Sequence, residues 1–392
     1  MQSPFYLSRR RLLGGATALL VLEPLTGCAG DAALRRTPWA GPPPGEGDVR
    51  LRALAWATLA PNAHNTQPWA LDLRRPGEVD LYVDRARLLP ETDPPARQIH
   101  ISQGTFLELL DMAARELAHH AEITLFPAGE YGPEELLDRP VATVRFTPSE
   151  DARPDPLFSQ IPRRITNRRV YASGRALTRA QIDAISRAAS PEQGTVRVID
   201  APGPRAALAA SLGEAMAIES AGRARNLETA RWYHWSDAET ATRRDGFGLA
   251  HAGQGGFARW FVHSFILNRD SAGDPRGAFA EGAADQARAQ AASASAFALL
   301  TTHGNTRRAQ VLAGRAYARL TLTATALGLA LHPMSQILEE YADMAALKAR
   351  FREACGVAAA DTAQMIVRLG FAEPHAHAPR RDVAAMRTAR GG

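Results

Sequence analysis

Two separate stretches of this chain share one pattern, and that pattern constrains the fold more than any other feature. Both stretches have the length and apolar spacing of long helices, and their small residues permit close packing between helices. Chance is the alternative explanation in an alanine-rich chain. The repeat predicts an internal duplication whose two central helices pack together. At one constant offset, Arg97, Gly104, Leu110, Ala114 and Leu117 correspond to Arg307, Gly314, Leu320, Ala324 and Leu327.

The composition excludes several classes of protein. A chain of 392 residues with 45% hydrophobic and 22% charged residues is neither disordered, collagenous nor a small disulfide scaffold. Its length suits two domains or one large one. The net charge is +5, and all basic residues except Lys348 are arginines spread along the chain. Since no clustered basic run appears, nucleic acid is not an expected partner.

The N-terminus predicts export. The run Ser8–Leu13 resembles a twin-arginine motif, and the apolar stretch at 12–22 is about half of the ~20 residues that a membrane-spanning helix needs. The run Leu25–Cys28 resembles a lipobox, whose cysteine would carry the lipid. Residues 1–28 are therefore predicted to be a twin-arginine and lipoprotein signal, and the mature chain a periplasmic or membrane-anchored lipoprotein. An apolar first helix is the alternative, but the flanking arginines disfavour it.

The remaining chain divides into a tether and two halves. Proline and glycine make 29–48 a predicted spacer without a core. Helix and strand patterns then alternate, which predicts an α+β fold with a first half at 49–155 and a second half at 156–392. The aromatic and irregular stretch at about 221–298 is predicted to be an insertion. It would form either a lid over a site or a surface excursion that packs its own aromatic side chains.

The loop from Ala60 to Trp69 offers the clearest candidate for a ligand site. Its sequence, APNAHNTQPW, follows a predicted helix and precedes a predicted strand. Asparagine and glutamine carry paired donors and acceptors, which suit a flat heteroaromatic ligand with alternating carbonyl and N–H groups. The alternative is a loop whose amides only satisfy each other and the nearby backbone.

This loop resembles the A-P-S-x-x-N-x-Q-P-W motif of the nitroreductase-like FMN flavoproteins, with Asn62 where serine is commonest. Four later segments resemble the same family in the same order. They are similar to a segment of its fused two-half (Acg-type) branch, to its phosphate loop, to its G-L-x-x-x-P helix end, and to its closing strand and basic tail. The similarity covers most of residues 50–385 apart from the insertion. The four segments are 84–104, 163–168, 326–335 and 365–381.

The resemblance implies an α-β-α sandwich in which two fused half-domains form an intramolecular pseudo-dimer. It also implies one FMN per chain at the interface of the halves, with Arg164, Thr166, Arg168 and Arg381 at its phosphate. A backbone N–H of Met334 or Ser335 would lie near flavin N5. From the residues alone, a solvated basic turn is the favoured interpretation of the loop at 163–168, which we call the arginine loop. The full set implied at the cofactor is Pro61, Asn62, Ala63, His64, Asn65, Gln67, Arg163, Arg164, Thr166, Asn167, Arg168, Pro333, Met334, Ser335 and Arg381.

The function implied is that of an FMN-dependent oxidoreductase. It would pass hydride from NAD(P)H, or from another reduced donor, through flavin N5 to a small quinone or nitroaromatic acceptor, without a catalytic side chain. The alternatives are a non-catalytic protein that sequesters flavin under a lid and an interaction module whose flavin site has decayed. No metal is expected, because His375 and His377 lack further ligands nearby in the sequence.

Overall fold

The computed structural model describes residues 38–248, 251, 269 and 271–388. The predicted signal and residues 29–37 of the predicted tether lie outside the described residues. In the first half, Asp48 caps α1 by accepting a hydrogen bond from the Arg50 N–H at 2.9 Å. The elements of this half are α1 Val49–Ala57, β1 Trp69–Asp72, β2 Glu78–Val83, α2 Arg97–Glu116, β3 His119–Leu125 and β4 Ala142–Pro148.

The sequence Thr178-x-x-Gln181 predicts a capping box at the first helix of the second half, and the structure confirms it: Thr178 and Gln181 hydrogen-bond each other's backbone N–H groups. Each half has four strands, and the second half has more helices than the first. The elements of this half are α3 Arg179–Ser186, β5 Thr195–Ile199, α4 Pro202–Ser220, α5 Arg223–Trp232, α6 Asp237–Arg243, α7 Ala278–Ala292, β6 Ala296–His303, α8 Arg307–Ala326, β7 Ala330–Pro333, α9 Ala345–Ala354 and β8 Asp361–Gly370.

The two sheets have one topology. Each is a four-stranded antiparallel sheet, with strand orders β1-β2-β4-β3 and β5-β6-β8-β7. In each half the long helix, α2 or α8, connects the second strand to the third. The matching orders confirm the predicted α+β fold of two similar halves, since the strands and the long helices correspond one to one.

The central helices cross at the predicted glycines. A Cβ atom placed on Gly104 would lie 1.9 Å from the Val311 carbonyl oxygen, and one placed on Gly314 would lie 2.0 Å from that of Ile101. Both distances are far inside van der Waals contact, so only glycine allows this approach. The repeat therefore marks the place where the halves meet.

The insertion has different bounds from those predicted. β1 and β2 are joined by a tight hairpin at Pro76 and Gly77, whereas the corresponding β5 and β6 are separated by residues 200–295. The predicted end at about 298 differs by a few residues, because residues 296–298 belong to β6. The start at 221 also differs, since α4 already lies within this stretch. We refer to residues 200–295 as the insertion.

The end of the predicted tether packs on the domain. Pro38–Ala40 form a 3-10 turn, and Trp39 is only 7% exposed. Its indole N–H donates to the Ala378 carbonyl at 2.9 Å, and its ring stacks on His377 with centroids 4.1 Å apart. Among the described residues, no helix combines the length and the hydropathy that crossing a membrane requires.

Candidate functional site

A cavity of about 800 Å³ lies between the halves and beneath the insertion. The loop at 61–64 from the first half, the segment at 332–336 from the second, and α5 and α7 of the insertion all contribute to its wall. Such a volume suits a ligand of cofactor or drug size. A narrower cleft opens beside it and shares Pro61, Asn62, Thr166, Arg168 and Phe247 with its lining.

The side-chain amides of the 60–69 loop hydrogen-bond to protein groups, both within the loop and in the segments packed against it. The Asn62 side-chain oxygen accepts from the Gln67 N–H at 2.7 Å, and its NH2 group donates to the Ala60 carbonyl at 3.0 Å. The Asn65 NH2 group donates to the carbonyls of Gly246 and Pro379. Gln67 is fully buried and lines neither the cavity nor the cleft. The hydrogen bonds of these amides are therefore those of the alternative interpretation, in which the amides satisfy protein groups.

These bonds maintain an unusual backbone. His64, Asn65 and Gln67 have φ values of +46°, +52° and +52°, in the left-handed region that costs energy for residues other than glycine. The result is that Pro61, Ala63 and His64 face the cavity. Burial, with the nearby Arg168, lowers the pKa of His64 to about 4, so its imidazole is neutral near pH 7.

The arginine loop is an extended segment attached to β7. Thr166 bridges to Leu331 in parallel, and the Asn167 N–H donates to the Leu331 carbonyl at 2.9 Å. Arg164, Ile165, Thr166 and Arg168 line the cleft, whereas Asn167 does not. The Asn167 NH2 group donates instead to the Glu373 carbonyl.

Two residues of the set implied at the cofactor, Arg163 and the phosphate candidate Arg381, do not line the cleft. Arg163 is exposed and does not line the cleft. Arg381 is also absent from the lining: its N–H donates to the Gln67 side-chain oxygen at 2.7 Å, and its guanidinium lies 3.8 Å from Asp84. Its neighbour Arg380 lines the cleft in its place. The sequence marked this basic pair but could not determine which arginine points inward.

The cleft holds buried guanidinium groups that have no counter-charge among the described residues. Arg164 and Arg380 are 4% and 3% exposed, and no Asp or Glu of the described residues lines the cleft. Arg380 donates to the Asn65 side-chain oxygen at 2.5 Å and to the Leu59 and Ala60 carbonyls, while its Nε finds no partner.

Burial, with Arg164 nearby, holds the pKa of Arg380 well below its usual value. Burial also lowers the pKa of Arg164 to about 10. The Arg164 Nε also has no partner. A bound anion would supply the missing charge and acceptors.

The segment after β7 offers one of the two expected backbone donors. The Met334 N–H is already bonded to the Ile366 carbonyl at 2.9 Å, so it is not available to a ligand. Pro333, Met334 and Ser335 all line the cavity. Ser335 is therefore the better candidate for a backbone N–H that points at a ligand.

The insertion is fastened to the 60–69 loop. Asn65 and Gly246 exchange two hydrogen bonds, at 2.8 and 3.0 Å, and the Gln67 NH2 group donates to the Arg244 carbonyl at 2.9 Å. Phe247 follows directly; its ring lies 5.0 Å from the Arg168 guanidinium and 5.8 Å from the His64 ring. The insertion thus covers part of the cavity and reaches the cleft.

Several cleft residues were not predicted from the sequence. Trp39 lay in the predicted tether, and His251 lies in the insertion. His375 and His377 were considered only as metal ligands. No group of three or more potential metal-binding His, Cys, Asp or Glu residues occurs in the part of the chain that the structure describes. The residues not predicted at the cleft include Trp39, Phe247, His251, His375, His377 and Arg380.

Comparisons with known proteins give partial similarities. No protein-family model matches the chain. A Mycobacterium tuberculosis protein named "Putative NAD(P)H nitroreductase" is 32% identical over 120 residues, which is 30% of this chain and 33% of that protein. An "Uncharacterized protein" of the same species is 38% identical over 99 residues, or 24% of this chain and 27% of that one. The matched region spans a third or less of either relative.

Two solved structures are similar over more of the chain but at low identity. A nitroreductase with bound FMN from Bacteroides fragilis has a TM-score of 0.32 and 14% identity, covering 56% of this chain and 89% of that one. A structure described as "a putative nitroreductase" from Anabaena variabilis has a TM-score of 0.38 and 12% identity, covering 90% of each chain.

Proposed function

We propose that the chain is an FMN-binding oxidoreductase of the nitroreductase family. It would pass electrons from NAD(P)H, or another reduced donor, to a small quinone or nitroaromatic acceptor. The observation that carries this proposal is the buried pair Arg164 and Arg380, in a cleft that opens onto an 800 Å³ cavity and that no carboxylate from the described part of the chain lines. The local match to a protein named as an NAD(P)H nitroreductase supports the same family.

The residues present fit FMN. A phosphate dianion would supply acceptors for Arg164, Arg380 and the Thr166 hydroxyl, and would offset the buried positive charge. A flat ring system would extend into the cavity between the 61–64 loop and the segment at 333–335. When bound, FMN supplies two-electron redox chemistry. The chain binds and orients it and partly excludes water with Phe247 and Tyr233 of the insertion.

A second function is favoured by the insertion, whose aromatic residues cover part of the cavity. Tyr233 contacts Phe247 and Phe279 through ring edges, and all three side chains line its wall. A cavity covered in this way could hold flavin without admitting a nicotinamide. In that case the chain would be a non-catalytic flavin-binding or sequestering protein.

We propose further that the chain is exported by the twin-arginine route and is anchored, if at all, through a lipid on Cys28. The region outside the cytoplasmic membrane holds little NAD(P)H. A membrane quinol or a redox protein is therefore the alternative donor. Mass spectrometry of the chain purified from membranes would identify the mature N-terminus. An intact Met1–Gly27 segment would contradict this part of the proposal.

The binding of FMN is tested against riboflavin, which lacks the phosphate. We expect about one FMN per chain and a preference for FMN of roughly a hundredfold, because the phosphate adds several charge-assisted hydrogen bonds. Arg164→Met should abolish most of this preference. Arg163→Met is the matched control, since it removes the same charge from an exposed neighbour. Equal binding of the two flavins to the unaltered chain would contradict the proposed cleft.

Turnover is tested in the same cuvette. Anaerobic addition of NADPH should bleach the flavin absorbance if the chain is an enzyme that accepts electrons from nicotinamide. A flavin that binds but is bleached neither by NADPH nor by a quinol would favour sequestration. A chain that binds no flavin would overturn both functions.

A further inference from the structure

A second polar region of the cavity consists of carboxyl groups. Asp93, Glu219 and Glu339 all line the cavity, and none of them lines the arginine cleft. They come from three places in the chain: the turn before α2, the end of α4, and the segment before α9. All three are at least nine-tenths buried. We call this group the acidic end.

Glu339 is the least satisfied of the three. It is 5% exposed, and its Oε2 atom has no hydrogen-bond partner among the residues that the structure describes. The nearest cation, Arg97, lies 3.6 Å from the other oxygen and is shared with Glu340, to which its Nε donates at 3.1 Å. The Arg97 guanidinium also donates to the carbonyls of Leu338 and Gln364. Little of its hydrogen-bonding capacity therefore remains for Glu339.

The other basic groups near the acidic end have partners of their own. Lys348 donates to the Leu338 carbonyl and pairs with Glu340 at 3.2 Å. Arg225 pairs with Asp343 at 2.7 Å. Burial raises the pKa of Glu339 well above its usual value, and the neighbouring carboxyl groups Asp93, Glu340 and Glu219 raise it further while Arg97 opposes them. The region thus holds more carboxyl groups than cations to balance them.

Asp93 and Glu219 differ in how many hydrogen bonds their carboxyl oxygens already accept. Both oxygens of Asp93 accept backbone N–H groups, from Gln98 at 3.1 Å and Ile99 at 2.9 Å, so this side chain stabilises the first turn of α2. Glu219 accepts the Tyr341 hydroxyl at 3.3 Å. Glu339 and Glu219 are therefore the two carboxyl groups that a ligand would meet.

Apolar side chains adjoin the acidic end. Met216 lies one helical turn before Glu219 on α4 and lines the same cavity, as do Leu89 and Phe279. A ligand that fills this region would place an apolar or aromatic body against these side chains and a polar group against Glu339. The polar group that suits a buried carboxyl group without a partner is a hydrogen-bond donor with positive charge.

We propose that the acidic end binds the cationic group of the electron acceptor, and that the preferred acceptor is an aromatic molecule carrying a protonated amine. An ammonium group has three donors and no acceptor, so it can satisfy Glu339 Oε2 and reach Glu219. This inference rests on the proposed function only in calling the ligand an electron acceptor. The site itself requires only the cavity and its carboxyl groups.

The test compares two probes of equal size with the mature chain as purified, without an electron donor. One is para-nitrobenzylamine, which is cationic at neutral pH, and the other is para-nitrobenzyl alcohol, which is neutral. Calorimetric titration should give a Kd for the amine roughly tenfold lower than that for the alcohol. Repeating the titration in two buffers of different ionisation enthalpy should show proton release with the amine only, because the cation displaces the proton of a buried carboxyl group.

The preference for the amine should disappear in Glu339→Gln and weaken in Glu219→Gln. The second variant provides the test if the first does not fold. The matched control is Glu214→Gln, which removes a carboxylate from the exposed face of α4. Equal Kd values for the two probes, no binding of the amine, or a preference that survives Glu339→Gln would each overturn the proposal. Failure of the proposed redox function would appear separately, as a chain without flavin or a flavin that no donor reduces.

Discussion

Gly104 and Gly314 face each other across the contact between α2 and α8. A Cβ atom on either glycine would lie 2.8 Å from the Cα of the other. This reciprocal distance is what an internal two-fold relationship between the halves produces. Two glycines at one offset in the sequence thus correspond to one contact in space.

Gly104→Ala should destabilise the chain by about 3 kcal/mol, because the added methyl group would meet the Val311 carbonyl and force the central helices apart. The free energy of unfolding in urea measures the effect. The control is Gly282→Ala on α7, where a Cβ atom would have nothing within 4 Å. That variant should be neutral or more stable, by up to about 1 kcal/mol. Equal effects of the two substitutions would contradict the close contact.

The sequence predicted the elements whose patterns are local. Local patterns predict a strand pair at 69–73 and 79–83 around a turn at Pro76 and Gly77, and a long helix at about 100–118. These elements, the second long helix and the capping box at Thr178 all lie within a few residues of their predicted positions. The boundary between α2 and β3 was less well predicted, because the sequence indicates that His119 and His120 end a helix. They instead begin β3, after Ala118 turns the chain with a φ of +54°.

The bounds of the insertion could not be read from the sequence. The helix α4 is rich in alanine and resembles a core helix, so nothing in its composition marks it as an addition. That α4 belongs to the insertion follows only from the sheet: β5 pairs with β6, although residues 200–295 separate the two strands in the sequence. Pairing between distant strands is a tertiary property. Which arginine of the pair Arg380 and Arg381 faces the cleft likewise depends on residues far away in the sequence, because Arg380 bonds to the Asn65 side chain and the Arg381 N–H bonds to that of Gln67.

Gln67 joins three segments, and its loss should loosen all of them. Its side chain donates to Arg244 of the insertion and accepts from the Arg381 N–H of the tail. Gln67→Ala would leave two buried backbone groups unpaired, so we expect a loss of about 2 kcal/mol in unfolding free energy. Limited proteolysis should also cut the insertion and the tail sooner. Gln160→Ala is the control, since its amide bonds the hydroxyl of Ser159 at an exposed position. Similar proteolysis of the two variants would contradict the role of Gln67 in joining the three segments.

Glu219 should make the chain less stable as pH rises. Burial raises its pKa from the usual 4.5 to about 7; Arg225 and the Tyr341 hydroxyl oppose this shift, and Glu228 adds to it. Between these two values the folded state holds a proton that the unfolded state has lost, so raising the pH favours unfolding. From about pH 5 to about pH 8, the loss from this one group should be roughly 2 kcal/mol.

The measurement is the difference in unfolding free energy between Glu219→Gln and the unaltered chain at those two pH values. Taking this difference cancels other groups, including His64, whose lowered pKa acts in the opposite direction over the same range. The variant should gain stability relative to the unaltered chain as pH rises. Glu214→Gln, on the exposed face of the same helix, should show no such change. A difference independent of pH for Glu219→Gln would mean that its carboxyl group is ionised throughout.

Trp39 should contribute to anion binding although it lies in the predicted tether. Its ring lies 5.1 Å from the Arg380 guanidinium and 5.9 Å from that of Arg164, and it closes one side of the cleft. A chain that begins at residue 49 should therefore bind FMN about tenfold more weakly than one that begins at residue 37. Its affinity for riboflavin should change less, because the cleft would hold the phosphate.

Quenching of flavin fluorescence gives the dissociation constants. Trp39→Ala in the longer chain should reproduce the loss. If both chains bind FMN equally, the segment before residue 49 acts only as a spacer.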